Sequence, residues 1–313
     1  MTLRGALLSF RIQRFETTIV VGAAILSLVV SAIVIWLANS PTFALCHGDD
    51  QASLSSACQT GIFPWLNRVA RLSLAIVPVF PIVAGLLAGG PIVARELENG
   101  TARLAWSLGP SRLRWFVQRA GPIILMVAAA GLAIGLIAEA LTHMVQPTAD
   151  LDQSFIAFRA RGLLVAVQAI LVAMIALAFG AILGRSVPTL VLSLILVGAI
   201  GLAVDKVERE LLTNEALVAN ANDYYNGSSD SNLYLDSRLR FPDGTIATWQ
   251  EAYALHPEIQ NGYDETSGIS DVVLYIPGNR YHDIERREAL VLLALAAAFA
   301  GLAGVTVVRR RPR

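Results

Sequence analysis

Six runs of the chain are almost free of charge, and polar stretches of very unequal length separate them. The runs are Thr17 to Ser40, Leu72 to Ala94, Ala120 to Thr142, Gly162 to Gly184, Thr189 to Val204 and Ala289 to Val308. A helix of roughly 20 apolar residues crosses the hydrocarbon core of a bilayer. Each run therefore reads as a transmembrane helix, the fifth on the short side. Pro78 and Pro81 sit in the second run, where each removes a backbone donor and predicts a kink. Membranes tolerate such breaks where protein or a cavity re-satisfies the freed carbonyls, which fits packing adaptation and a translocation wall alike. Pro188, after Arg185, suits the first turn of the fifth helix. The first run is too long for a signal-peptide core, and no small-x-small site closes it.

The polar stretches set the domain order. Met1 to Phe15 carries Arg4, Arg11 and Arg14 among apolar residues, as an amphipathic helix on the inner membrane surface would, or as a plain basic flank would. Residues 39–68 form an outer loop, and residues 95–119 a basic loop between the second and third spans. Residues 205–288 are the largest polar segment and hold all seven tyrosines. Within it, Asp205 to Ala221 predicts an amphipathic helix and Asn222 to Ser231 a loop. Thr248 to Glu251 has the form of a capping box, and Asp271 to Ile276 predicts a strand turned by Pro277 and Gly278. The predicted fold class is an all-α polytopic membrane protein with six transmembrane helices and cytoplasmic termini. A small mixed α+β extracytoplasmic insertion (205–288) precedes the last helix (289–308), and a basic tail (309–313) follows it.

Composition agrees. Of 313 residues, 55% are hydrophobic and 15% charged, against about 25% charged in soluble domains; mean hydropathy is +0.58. The zero net charge conceals an asymmetry. The six-span topology places thirteen cations and three acids inside, and eleven cations and twenty acids outside. The inner turns are dense in arginine, as the positive-inside rule requires.

Cys46 and Cys58 both fall in the outer loop. Two cysteines in one exported loop predict a disulfide; zinc held by Cys46, His47 and Cys58 is the alternative, without a second ligand pair to support it. Glu139 and His143 lie one helical turn apart. Glu139 is nineteen residues past Ala120, about 28 Å at about 1.5 Å per residue, so it belongs near the outer interface. There it predicts an ion pair with Arg71 or Arg68; a buried proton relay is the alternative. A P-loop needs Gly-Lys-Ser/Thr, and the only lysine, Lys206, follows Asp205. No H-E-x-x-H or G-x-S-x-G occurs either, so no catalytic residue, metal site or enzymatic activity is predicted for this chain.

The stretch Arg95-Glu96-Leu97-Glu98-Asn99-Gly100-Thr101 resembles the loop after the second span of ABC-2 type (ABCG-like) exporter permeases, most closely their actinobacterial branch. There a pattern near Arg-Glu-x-Glu-x-Gly-Thr docks on a partner ATPase. The resemblance implies that Arg95 to Thr101 forms a coupling helix. Glu96 and Glu98 would pair with arginines of the ATPase or cap nearby backbone donors, Gly100 would end the helix, and Arg112, Arg114 and Arg119 would anchor the re-entry. A second corner, Arg280, Tyr281 and Glu288, is similar to a family pattern at the head of the last helix. Here His282 replaces an aromatic residue, Glu285 replaces a glutamine, and Arg286 and Arg287 replace apolar residues. The family implies a cytoplasmic ATP-binding-cassette subunit carrying ATP and Mg, a second permease chain in a homodimer, and a bacterial plasma membrane. It implies no cofactor in this chain and no nucleic acid. A proton-coupled secondary transporter using Glu139 and His143, without the internal repeats usual there, and a membrane sensor or immunity protein are the alternatives.

Overall fold

The structure, a computed structural model, describes residues 13–40, 62–102, 106, 111–226, 231–257 and 268–310. The segment 1–12 and the loop with Cys46, His47 and Cys58 lie outside the described residues. The first helices are α1 (Arg14–Ala38), α2 (Ile62–Ile76), α3 (Val79–Glu98), α4 (Arg112–Val145), α5 (Gly162–Leu183) and α6 (Ser186–Glu215). After α6 come β1 (Leu217–Asn220), α7 (Ala221–Asn226), β2 (Leu233–Arg240), β3 (Ile246–Thr248), α8 (Trp249–Leu255) and β4 (Ser270–Ile276). The last helix is α9 (Tyr281–Arg309). Among the described residues, six helices are long and apolar enough to cross a membrane: α1, α3, α4, α5, α6 and α9. The chain is a multi-pass membrane protein, mostly helical, with one small antiparallel sheet.

The second polar-to-apolar boundary differs from the expectation. Helix begins at Ile62, so residues 62–68 are helical rather than part of the outer loop. The predicted kink is a full break: Val77 and Pro78 form a turn between α2 and α3. Pro78 has no N–H to continue the α2 ladder, while Pro81 is accommodated within α3. Pro91 and Pro122 also lie inside helices. The predicted helix after Asp205 is the continuation of α6 out to Glu215.

Two compact units result. One comprises Met1–Thr148, Ala157–Ile200 and Glu285–Arg313; the other comprises Ala149–Ile156 and Gly201–Ile284. In the first, α5 is the central helix: 67% of its apolar window is buried, against 11% for α6. Its residues Ala169, Ala173, Leu177 and Ala181 pack with Ile92 and Val93 of α3, Phe116 and Ile123 of α4, and Ala303 and Val307 of α9. Lipid is as apolar as these side chains, so close packing rather than hydrophobicity holds such helices together. The α3–α5 pair shows the consequence. A Cβ on Gly89 would lie 2.3 Å from the carbonyl oxygen of Ala173, and one on Gly85 2.6 Å from Val172 Cβ. Only glycine allows the backbones so near. The outer faces keep Ile25, Leu26, Trp36, Val191, Ile195 and Leu202 exposed, which in water would be an aggregation surface and in a bilayer is a lipid face.

The second unit holds the sheet, in the order β1-β4-β2-β3 with every pair antiparallel. Leu239, Phe241 and Ala252 form its small core, with Trp249 and Tyr253 packed on them. The capping box is present: Thr248 Oγ1 accepts from Glu251 N–H at 3.3 Å, and Thr248 N–H donates to Glu251 Oε2 at 2.9 Å. Of the four strands only β4 is predicted from sequence; β1, β2, β3 and the short α7 are additions.

Candidate functional site

Six helix ends meet at the arginine-rich end of the first unit: the starts of α1, α4 and α6 and the ends of α3, α5 and α9. Arg14, Arg95, Arg112, Arg114, Arg119, Arg185, Arg309 and Arg310 all belong to it. Side chains bond these ends pairwise. Arg95 Nη2 of α3 meets Glu16 Oε1 of α1 at 2.6 Å. Arg119 Nη2 of α4 lies 3.4 Å from Glu96 Oε1 of α3. The Ser186 N–H and Oγ–H at the start of α6 both donate to Glu98 Oε2, at 3.0 and 2.9 Å. Arg112 Nη1 of α4 donates to the carbonyls of Val308 and Arg310 at the end of α9, at 3.1 and 2.5 Å. Arg310 Nη1 donates to the Ala181 carbonyl in the last turn of α5 at 2.6 Å. Thus α1–α3, α3–α4, α3–α6, α4–α9 and α9–α5 are each joined, and all six spans belong to one bonded set.

The physical logic is that of helix ends. The last carbonyls of a helix and the first N–H groups have no intrahelical partner. Cations favour the C-terminal end and anions the N-terminal end. Arg112 and Arg310 serve the first role, Glu98 the second. Gly184, at φ +63, ends α5 and leaves the room that the Arg310 guanidinium fills. Arg112 also stacks 4.9 Å over the Trp106 ring, which meets Trp115 edge-on at 5.8 Å.

The stretch Arg95 to Thr101, expected as a coupling helix, begins inside α3. Arg95 to Glu98 form the last turn of α3, because nothing between Ala94 and Glu98 interrupts the helix; the chain first leaves it at Asn99 and Gly100, the latter at φ +72. Thr101 Oγ1 then donates back to the Glu96 carbonyl at 3.2 Å. Glu96 is 9% exposed and faces Arg119. Glu98 caps a backbone donor, one of the two roles foreseen for it. Arg112 to Arg119 are helical, and Ser111 caps α4 by accepting from the Arg114 N–H at 3.2 Å; the Arg114 side chain is exposed.

The other anticipated residues lie elsewhere. The ion pair between Arg71 and Glu139 is not formed: Arg71 Nε donates to Asn67 Oδ1 at 3.4 Å, one turn back along its own helix. Glu139 is half-buried beside the Gly162 turn, and His143 is exposed. Arg280, Tyr281 and Glu288 do not share one contact. Arg280 Nη2 pairs with Glu215 Oε2 at 2.6 Å, and Tyr281 is buried edge-on against Phe155 at 5.6 Å. Glu288 pairs with Arg159 Nε at 2.6 Å. Sequence reasoning set Glu16 and Arg310 on the inner side without assigning either a contact, and gave no role to Gln13 or to the Ser186 hydroxyl. The partners of Glu16, Ser186 and Arg310 lie 79, 88 and 129 residues away, and Gln13 meets Arg95, Glu96 and Arg119 only as lining of one cavity, all beyond the reach of local pattern.

Comparison with known proteins places this arrangement. No curated protein and no solved structure matches the chain. The family described as ABC-2 membrane transporter related matches residues 16–209. That stretch runs from Glu16 through the Arg95–Thr101 turn and Ser186 into the second half of α6, and covers more than half of the chain. The chain therefore belongs to the ABC-2 membrane transporter related family, as a multi-pass permease component of ABC transport.

Proposed function

We propose that the chain is the membrane-spanning subunit of an ABC exporter, coupled to a separate ATP-binding subunit that holds ATP and Mg. The arginine-rich end is its cytoplasmic face, in a bacterial plasma membrane of actinobacterial type, and a second copy completes the translocation path. The observation that carries this reading is the position of Arg95 to Thr101. It ends α3 at the point from which bonds run to α1, α4 and α6. A load applied at Gly100 reaches α6 through two hydrogen bonds from Ser186 to one carboxylate. It reaches α5 through backbone-to-backbone packing at Gly89, which transmits strain because packed interfaces are not continuously deformable. ATP-driven closure of the partner subunits would tilt these helix ends together and open the path on the far side.

The test is co-production with a candidate ATP-binding-cassette subunit of the same genome, followed by purification through a tag on the permease alone. The proposal expects a retained subunit that hydrolyses ATP, with crosslinks from Asn99 or Thr101 to it. Purification of the permease without any nucleotide-binding partner, under conditions where both chains are present, would overturn it.

A further inference from the structure

Beside the Arg95–Thr101 turn lies a cavity of about 290 Å³, close to the lower end of small-molecule sites at about 300 Å³, whose lining includes Gln13, Ile92, Arg95, Glu96, Thr101 and Arg119. Its floor is buried: Gln13 is 5% and Glu96 9% exposed. Its rim, Arg95 and Thr101, is open. Two arginines and two carboxylates, Glu96 and the Glu16 that holds Arg95, leave the site without net charge. Two lining residues carry buried atoms with no hydrogen-bond partner among the described residues, Gln13 Oε1 and Arg119 Nη1, and a third such atom, Glu16 Oε2, stands behind Arg95. Gln13 is the residue just before α1 and Glu16 stands in its first turn. Buried polar atoms are seldom left unmatched, and this set is of both kinds, acceptors and a donor.

That mixture selects the ligand. An anion would satisfy Arg119 and leave Gln13 and Glu16 unmatched; a simple cation would do the reverse. Either would bring net charge into a neutral, largely buried site, which is costly. We propose that the cavity binds a phosphoethanolamine headgroup. Its phosphate accepts from Arg119 Nη1, with Arg95 at the rim. Its primary ammonium donates to Gln13 Oε1 and faces the acidic side of the floor. The site lies where α1 begins and α3 ends, the level at which headgroups meet membrane-length helices, and Pro91 and Ile92 supply an apolar wall beside it. The source is a resident phosphatidylethanolamine or the free headgroup, and the same chemistry serves both.

The experiment titrates delipidated, detergent-purified chain with phosphatidylethanolamine, phosphatidylcholine and phosphatidylglycerol, following bound lipid by native mass spectrometry, with soluble O-phosphoethanolamine as competitor. Phosphatidylcholine has no N–H to donate and phosphatidylglycerol no cation. Each should bind about tenfold or more weaker than phosphatidylethanolamine, the loss expected for one charge-assisted hydrogen bond. Arg119→Gln and Gln13→Ala should each lower phosphatidylethanolamine binding by a similar factor. Competition by O-phosphoethanolamine at equal affinity would identify the free headgroup as sufficient; its failure to compete would identify the lipid. Equal binding of the three lipids to the unmodified chain, or undiminished binding in both folded variants, would overturn the proposal. No ATP-binding subunit is needed, so this result stands apart from the outcome of the co-purification.

Discussion

Thr248 and Glu251 are the clearest case of a residue-scale device. Glu251 accepts from both the backbone N–H and the hydroxyl of Thr248, at 2.9 Å each, and these bonds hold its carboxyl below the ordinary carboxylate range. A depressed folded pKa stabilises the fold in full above the unfolded value, about 4.3, and the contribution is lost as pH falls through the lower folded value. Asp243, held low by the Thr245 hydroxyl and N–H, acts with the same sign. Acidification from pH 7 to pH 3 should therefore lower the unfolding temperature, and Glu251→Gln should shrink that drop; an identical pH profile for the variant would contradict the assignment. This box is legible in sequence because its partners are three residues apart. Glu96 and Arg119 are not legible as a pair, since any of several arginines in the same basic stretch satisfies the same composition. Arg71 and Glu139 illustrate the converse. Matching depth in the membrane brought them together on paper, but depth does not fix which way a side chain faces, and Arg71 Nε meets Asn67 on its own helix.

At the scale of elements, the helices follow from length and apolarity alone, and all six spans are legible as charge-poor runs. Their ends are less so. Helix α6 continues eleven residues past Val204 to Glu215, because polar residues do not stop a helix unless a glycine or proline does. Strand β2 is the instructive omission. Leu233, Leu235 and Leu239 hold a period of two, but Ser237 stands where the next apolar residue is due, which hides the strand; in the fold the register also slips between Tyr234 and Asp236, the mark of a bulge. Helix pairing is not legible at all: glycines recur in every span, and only the fold shows which ones face a neighbour. Gly89 faces the Ala173 carbonyl, whereas Gly198 has nothing within 4 Å. Gly89→Val should accordingly cost about 1–3 kcal/mol through overpacking, seen as a lower melting temperature in detergent. Gly198→Ala should be neutral or stabilising by up to about 1 kcal/mol, the helix-propensity difference between the two residues. Equal effects at the two positions would show that the α3–α5 approach does not govern stability.

At the scale of the whole molecule, the bonded set at the arginine-rich end makes a distinction that neither the sequence nor the family makes alone. The carboxylate of Glu98 has two conceivable employments, a charge contact with a partner subunit or a cap on the first N–H of α6. Substitution by glutamine separates them. Glutamine keeps an oxygen able to accept from Ser186 N–H and Oγ–H, and loses only the charge; alanine loses both. If the cap links α3 to α6, Glu98→Gln should behave nearly as the parent chain, and Glu98→Ala should uncouple the two helices. Retention of the ATP-binding subunit should persist in Glu98→Ala, because the exposed Arg95 and Arg114 remain, while the movement of α6 on nucleotide binding should be lost. Spin labels at Val79 and Ile195, both exposed, report that movement as a change in their separation between nucleotide-free and ATP-trapped complexes. The expected pattern is a shift in the parent and in Glu98→Gln, and none in Glu98→Ala. If glutamine instead fails alongside alanine, and the ATP-binding subunit dissociates from both, the charge itself is what matters, and Glu98 faces the partner rather than tying two spans of its own chain. The neighbouring Arg112→Gln supplies the comparison. It weakens the α4–α9 joint without touching α3 or α6, so a lost shift there as well would mean that the six ends move as one body and that no single joint carries the stroke.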